Sequence, residues 1–255
     1  MIGEMTSNKY LWISIGILTL LFCIEGNVLW SGGYVFEMIV CITAAGSSTF
    51  IIPMACALPA ALCYYEEKTT FAYRYKMIRK SRLSYAIHCV GKGMAEGALV
   101  IGTSMAILML IFFVINVVQG NVISFMDESG VYGTVDDPTI YTDLFDHGCG
   151  AVVLLLNIFM MMLNGMLWPC FGILASAFIR NRKLLLVFPF LLYRIFAYIY
   201  DYNPYLTPLS FNMTLSIVYE SCGGFLRVAI YLLVVVYLTV ICLMANMKYQ
   251  YIRGE

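Results

Sequence analysis

The sequence predicts an all-α polytopic membrane protein, with six transmembrane helices and one short amphipathic helix at the inner surface. Three observations lead there. Residues of the set AVILMFWYC make up 62% of the chain against 12% charged, and the mean hydropathy is +0.85, whereas soluble domains run at about 45–50% apolar and about 25% charged. Apolar runs able to cross a hydrocarbon core about 30 Å thick recur along the 255 residues. The charges sum to zero yet are sharply segregated. This composition excludes an ordinary soluble domain. The 15% aromatic content excludes a disordered chain. Nothing favours nucleic acid, which needs an exposed basic surface; the expected surroundings are a lipid bilayer.

The first span is expected over 10–30, with Glu25 near its far end. The next apolar stretch, 35–65, is too long for one straight crossing. Gly46, Ser47, Ser48, Pro53 and Pro59 offer places to bend, so an outer interfacial segment is expected to lead into a second span over 46–65. Segment 66–92 (EEKTTFAYRYKMIRKSRLSYAIHCVGK) is abruptly polar and holds nearly half of the 15 Lys and Arg. A third span follows over 93–118. Segment 119–148 then carries Asp127, Glu128, Asp136, Asp137, Asp143 and Asp146 and no Lys or Arg. The fourth span covers 149–179, bent by Gly165 or Pro169 and stopped by Arg180, Asn181, Arg182 and Lys183. The fifth is short, over 184–200. A polar-aromatic connection with Pro204 and Pro208 leads to the sixth, over 224–245. The whole chain reads as a single transmembrane domain, without internal repeat or soluble domain.

Orientation follows from the bias of Lys and Arg toward the cytoplasm. Six spans with both termini inside place every Lys and Arg but Arg194 and Arg227 on the inner side. The acidic segment 119–148 then faces out. No cleavable signal peptide is evident. The nine cysteines form no C-x-x-C pair and read as small core hydrophobes, with a bridge between Cys149 and Cys222 left open. His88 and His147 stand apart from any metal-ligand pattern.

Segment 66–92 carries the most informative pattern. Phe71, Tyr75, Ile78 and Arg82 fall at helical spacing, surrounded by Arg74, Lys76, Arg79 and Lys80. That is a short amphipathic helix. It serves either as an anchor on anionic lipid or as a docking helix for a cytosolic partner.

The same segment resembles the inner segment of type-2 ABC (ATP-binding-cassette) exporter permeases. In that family a span ends at an acidic residue, a surface helix follows, and a Ser-Arg pair and a Lys lead into the third span. Here these are Glu66 and Glu67, the helix, Ser81-Arg82 and Gly91-Lys92. The stretch FGILASAFIRNRKLLLVFPFLLY (171–193) is similar to the family's fourth-to-fifth passage, and NPYLTPLSF to its outer connection before the last span. Where the family commonly has a glycine after the acidic residue, Lys68 and two threonines stand.

The resemblance implies a transport subunit rather than an enzyme. Two permeases, identical or related, would form the membrane part of an exporter in a bacterial cytoplasmic membrane. Separate cytosolic ABC ATPase subunits would dock beneath them. This chain has no G-x-x-x-x-G-K-[ST] loop, so ATP and Mg²⁺ would belong to those partners, and no cofactor or catalytic residue is expected here. Glu66, Glu67, Phe71, Arg74, Tyr75, Ile78, Arg79 and Arg82 would couple to the ATPase. The cargo would be hydrophobic or amphipathic, a bacteriocin-like or toxin peptide before a drug, lipid or glycan. Two other classes stay open: a polytopic membrane enzyme, and a sensor or immunity protein that binds a peptide without moving it. Glu66-Glu67 is also similar to the paired glutamates of membrane-embedded proteases, but Phe71 stands where those sites carry an arginine.

Inside the spans, Glu96 either pairs with Lys92 one turn earlier or serves in gating or cargo contact. Arg194 is expected to snorkel or to pair with Asp201, and Arg227 to pair with Glu220. Asn157 and Asn164 share a helix face and are expected either to bond across helices in packing or to serve in gating or cargo contact. Met161 lies in a run of methionines suited to packing or to an adaptable cargo surface. The acidic segment either solvates a loop or receives a cationic cargo.

Overall fold

In a computed structural model of the chain, the described residues are 5, 7–26, 35, 42, 48–79, 81–121, 123, 150–179, 181–202 and 224–253. They form helices α1 (Lys9–Gly26), α2 (Ser48–Thr69), α3 (Ala72–Arg79), α4 (Arg82–Gln119), α5 (Gly150–Phe178), α6 (Arg182–Tyr202) and α7 (Gly224–Arg253), with no strand among them. Three of these, α1, α4 and α5, are both long and apolar enough to cross a membrane. That marks the chain as a membrane protein. The acidic residues of segment 119–148, together with Cys41, Cys149, Cys222, Glu220 and the side chains of Arg227 and Asp201, lie outside the described residues.

Local sequence explains where the helices begin and end. Asn8 starts α1: its side-chain oxygen accepts the Tyr10 amide at 3.1 Å, as an N-cap does. Asn181 does the same for Lys183 at 2.9 Å ahead of α6. Ser81 caps α4 by accepting from the Ser84 amide at 3.2 Å. Gly120, at φ 71°, closes the other end of α4, its amide donating to Asn116 and Val117; glycine adopts that left-handed turn without steric penalty.

α4 differs from the span expected over 93–118. It runs unbroken for 38 residues from Arg82, about 57 Å at 1.5 Å per residue. The Ser81 cap fixes its start eleven residues before Gly93, so its first turns extend past any single hydrocarbon thickness. α2 likewise continues beyond Tyr65 to Thr69.

The helices pack through small residues and aromatics. α4 crosses α5 with backbones touching: a Cβ on Gly97 would fall 2.1 Å from the Gly165 carbonyl oxygen, and one on Gly165 would fall 2.7 Å from that of Gly97. Between apolar helices in lipid, such close approach supplies the dispersion contact that the hydrophobic effect does not. Leu18 and Phe22 of α1, Cys56 of α2, Met105 and Phe112 of α4 and Trp168 of α5 are buried in one core. Ser104 of α4 donates to the Ile15 carbonyl of α1 at 3.3 Å. Large apolar side chains also face outward, among them Leu20 and Ile24 on α1 and Leu110, Val117 and Val118 on α4. Lipid is the solvent that such a surface suits.

Candidate functional site

The polar residues gather where α2 ends, α3 lies, and α1, α4 and α6 begin. The neighbouring Glu66 and Glu67 point to different partners. Glu67 Oε1 meets Lys76 Nζ of α3 at 2.6 Å, and its Oε2 accepts the Tyr85 hydroxyl of α4 at 2.8 Å. Partial burial pulls the Lys76 ammonium toward deprotonation, but the Glu67 hydrogen bond and charge outweigh it and hold Lys76 above its ordinary value. Glu66 instead accepts the Tyr10 hydroxyl of α1 and lies 3.8 Å from Arg182 of α6. Arg182 also donates to the Tyr10 oxygen at 2.9 Å. The two carboxylates thus tie together the start or body of α1, α3, α4 and α6.

Lys68, next in line, turns toward α5. Its ammonium donates to the carbonyls of Ser176 and Ala177, and Asn246 of α7 donates to Ala177 at 2.9 Å. The last carbonyls of α5, which a helix leaves without intrahelical donors, are satisfied in this way.

The chain then reverses. Thr69 and Thr70 hydroxyls fold back onto the Glu66 carbonyl at 3.1 and 2.7 Å. Phe71 takes φ 57°, the left-handed region. This corrects the expectation of one helix face running from Phe71 to Arg82. Phe71 is the turn residue before α3, Tyr75 and Ile78 lie on α3, and Arg82 opens α4. The positive φ breaks the helix after Thr69, and the Ser81 cap starts a new one. Tyr75 and Ile78 are 74% and 81% exposed, and Phe71 is half exposed. Leu83 and Ile87 on the adjoining turns of α4 are exposed too. Arg74 and Arg79 belong to α3, but their side chains lie outside the described ones.

Beside this junction a small half-open cavity of about 30 Å³ lies between α2, α3, α4 and α5. Glu67, Lys76 and Tyr85 line it at one end and Lys92 and Glu96 at the other. Glu96 is fully buried. Its Oε1 accepts the Asn8 side-chain amide at 3.0 Å and stands 3.9 Å from Lys92 Nζ, so the expected one-turn pair forms, at a long distance.

The other candidates on the long helices disperse. Asn157 and Met161 are buried on α5, Met161 within the main core. Asn164 does not bond across helices: it accepts the Trp168 indole N–H of its own helix at 2.8 Å, because residues four apart meet on a helix face. The Arg194 guanidinium lies 5.0 Å from the Phe50 ring centroid, a cation–π contact; the expected pair with Asp201 falls on a side chain outside the described ones. Among the described residues no group of three His, Cys, Asp or Glu could hold a metal ion.

Sequence reasoning missed Tyr10, Tyr85, Asn8 and the specific roles of Lys68, Lys76 and Arg182. Tyr85 had a local signal, sitting one turn inside the Ser81 cap. The Arg182–Tyr10 contact joins residues 172 positions apart and leaves no trace in local pattern. No family model matches the chain, and no curated protein or solved structure matches it.

Proposed function

We propose that the chain is the permease subunit of an ATP-driven exporter of the type-2 ABC class, with α1, α2, α4, α5, α6 and α7 as six spans. In this reading α3 is the coupling helix. It faces the cytoplasm, where both termini also lie, and enters a groove on a separate ATPase subunit that binds ATP and Mg²⁺. A second copy or a related permease completes the membrane part in the bacterial cytoplasmic membrane. The cargo is hydrophobic or amphipathic, a peptide in the first instance.

One observation carries this reading: α3 presents Tyr75 and Ile78 outward while its Lys76 is clamped to Glu67 and, through it, to Tyr85. A helix that transmits force needs an apolar face for its partner and a stiff root in the spans. A helix that merely rests on lipid needs only the face.

The test is a Tyr75→Ala/Ile78→Ala variant of the full-length chain, purified with its ATPase. The reading predicts loss of ATPase co-purification and of coupled transport, with the chain still folded. Normal ATPase binding and transport in that variant would overturn it.

A further inference from the structure

Glu96 sits in an unusual setting. Its side chain is 1% exposed, and its Oε2 is enclosed with no hydrogen-bond partner. A carboxylate offers about four acceptor positions, and a buried charge requires pairing and hydrogen bonding. Here one neutral amide, from Asn8, reaches Oε1 at 3.0 Å. The Lys92 ammonium stands 3.9 Å away and also lies 3.8 Å from the Cys63 sulfur. The ionised form is therefore under-coordinated on one oxygen, while Lys92 keeps that form accessible. Glu96 also lines the cavity described above. Tyr85 and Glu96 are eleven residues apart on α4, so the residues lining that cavity span about 16 Å of the helix, from the α3 junction to the buried acid.

We propose that Glu96 is a reversible proton-binding site, filled and emptied through the cavity between α2, α3 and α4. The proton arrives from water at the α3 end, bonds to the unpartnered Oε2, and leaves by the same route. A metal cation fits less well, because it would face the Lys92 ammonium. The groups facing the site are few. From the segment before α1 comes Asn8, which does not titrate. α2 supplies Cys63, Tyr64 and Glu67, and α3 supplies Lys76. α4 itself brings Tyr85, His88, Cys89 and Lys92, whereas α5 contributes Ile173, which carries no charge. Glu67 is already engaged by Lys76 and Tyr85, which leaves Lys92 as the charge nearest the acid. Asn8 also caps α1, so the protonation state of Glu96 bears directly on the anchoring of that helix. This inference stands apart from the exporter reading and does not require a docked ATPase.

The probe is dicyclohexylcarbodiimide, an apolar reagent that adds to protonated carboxyl groups, applied to the full-length chain in liposomes. Peptide mass spectrometry then locates the adduct. The expected result is an adduct on Glu96 that declines about tenfold per pH unit past a single midpoint. In a Lys92→Met variant the midpoint moves to higher pH, since the ionised form loses its cation. Three results would overturn the proposal: no adduct on Glu96 from about pH 5 to about pH 9 while the unfolded chain is labelled there, an adduct of constant yield across that range, or protection by sodium ion at fixed pH. Because the main measurement is made on the unaltered chain, it does not depend on any variant folding.

Discussion

Glu67 of α2 holds Lys76 of α3 at 2.6 Å while its second oxygen takes the hydroxyl of Tyr85 on α4 at 2.8 Å. One carboxylate thus fastens a short surface helix to two long ones. Lys76 is about half exposed, so solvent screening limits the ion pair to less than about 1 kcal/mol of stability. Its consequence is positional. Glu67→Gln is expected to leave the melting temperature nearly unchanged but to raise the mobility of a spin label placed on α3. An unchanged label spectrum would argue against the clamp.

Tyr85 is the stronger half of that clamp. It is buried, and its hydroxyl is the donor to Glu67 Oε2. Tyr85→Phe removes a hydrogen bond to a charged group and is expected to destabilise the protein by about 1.5–3 kcal/mol. Thermal unfolding of the purified protein in detergent measures this.

The pH response of the clamp has a definite sign. Lys76 is held above its ordinary value of 10.5 in the folded protein. Its contribution is therefore fully present below that value and is lost as pH rises through the higher folded one. The mobility of the α3 label should be flat through neutral and mildly alkaline pH and increase only above about 10.5. A transition near neutrality would contradict the assignment.

The α4–α5 crossing should tolerate no added atom. Gly97→Ala drives a Cβ into the Gly165 carbonyl, with the Pro169 ring 2.6 Å away. Overpacking of this kind costs about 1–3 kcal/mol or more. Gly16→Ala and Gly91→Ala meet nothing within 4 Å and should instead stabilise their helices by about 0.5–1 kcal/mol. Melting temperatures of the three variants, measured side by side, decide the matter.

Phe71 combines a strained backbone with an exposed ring. Its φ of 57° disfavours any residue with a Cβ by roughly 1–2 kcal/mol. Phe71→Gly should therefore retain or slightly raise thermal stability. If the ring belongs to a docking face, the same variant should bind the ATPase partner less well.

How much of this was legible in the sequence follows from which forces act locally. Helix positions follow from apolar runs and from caps such as Ser81 and Gly120, which act within a few residues. The extent of α4 was missed, because the amphipathic turns from Arg82 to Lys92 read as surface structure rather than as the start of a long helix. The apolar face at Tyr75 and Ile78 was legible from spacing alone. Phe71 was not, since a left-handed turn at an aromatic residue has no sequence signature of the kind a glycine gives. Glu66 and Glu67 stood out by type, yet their opposite partners, Arg182 with Tyr10 and Lys76 with Tyr85, depend on how helices assemble. Glu96 was visible as a charge in an apolar run. The Asn8 amide that reaches it comes from 88 residues away and is set by tertiary packing.

The proposed exporter works only if α3 grips a nucleotide-driven companion. The most direct measurement is ATP hydrolysis by the complex purified through a tag on this chain from membranes of its own cell. An ATPase subunit should be present in fixed stoichiometry, and hydrolysis should disappear from the purified material when Tyr75 and Ile78 are both changed to alanine. Purification free of any ATPase, or hydrolysis undiminished in the double variant, would contradict it.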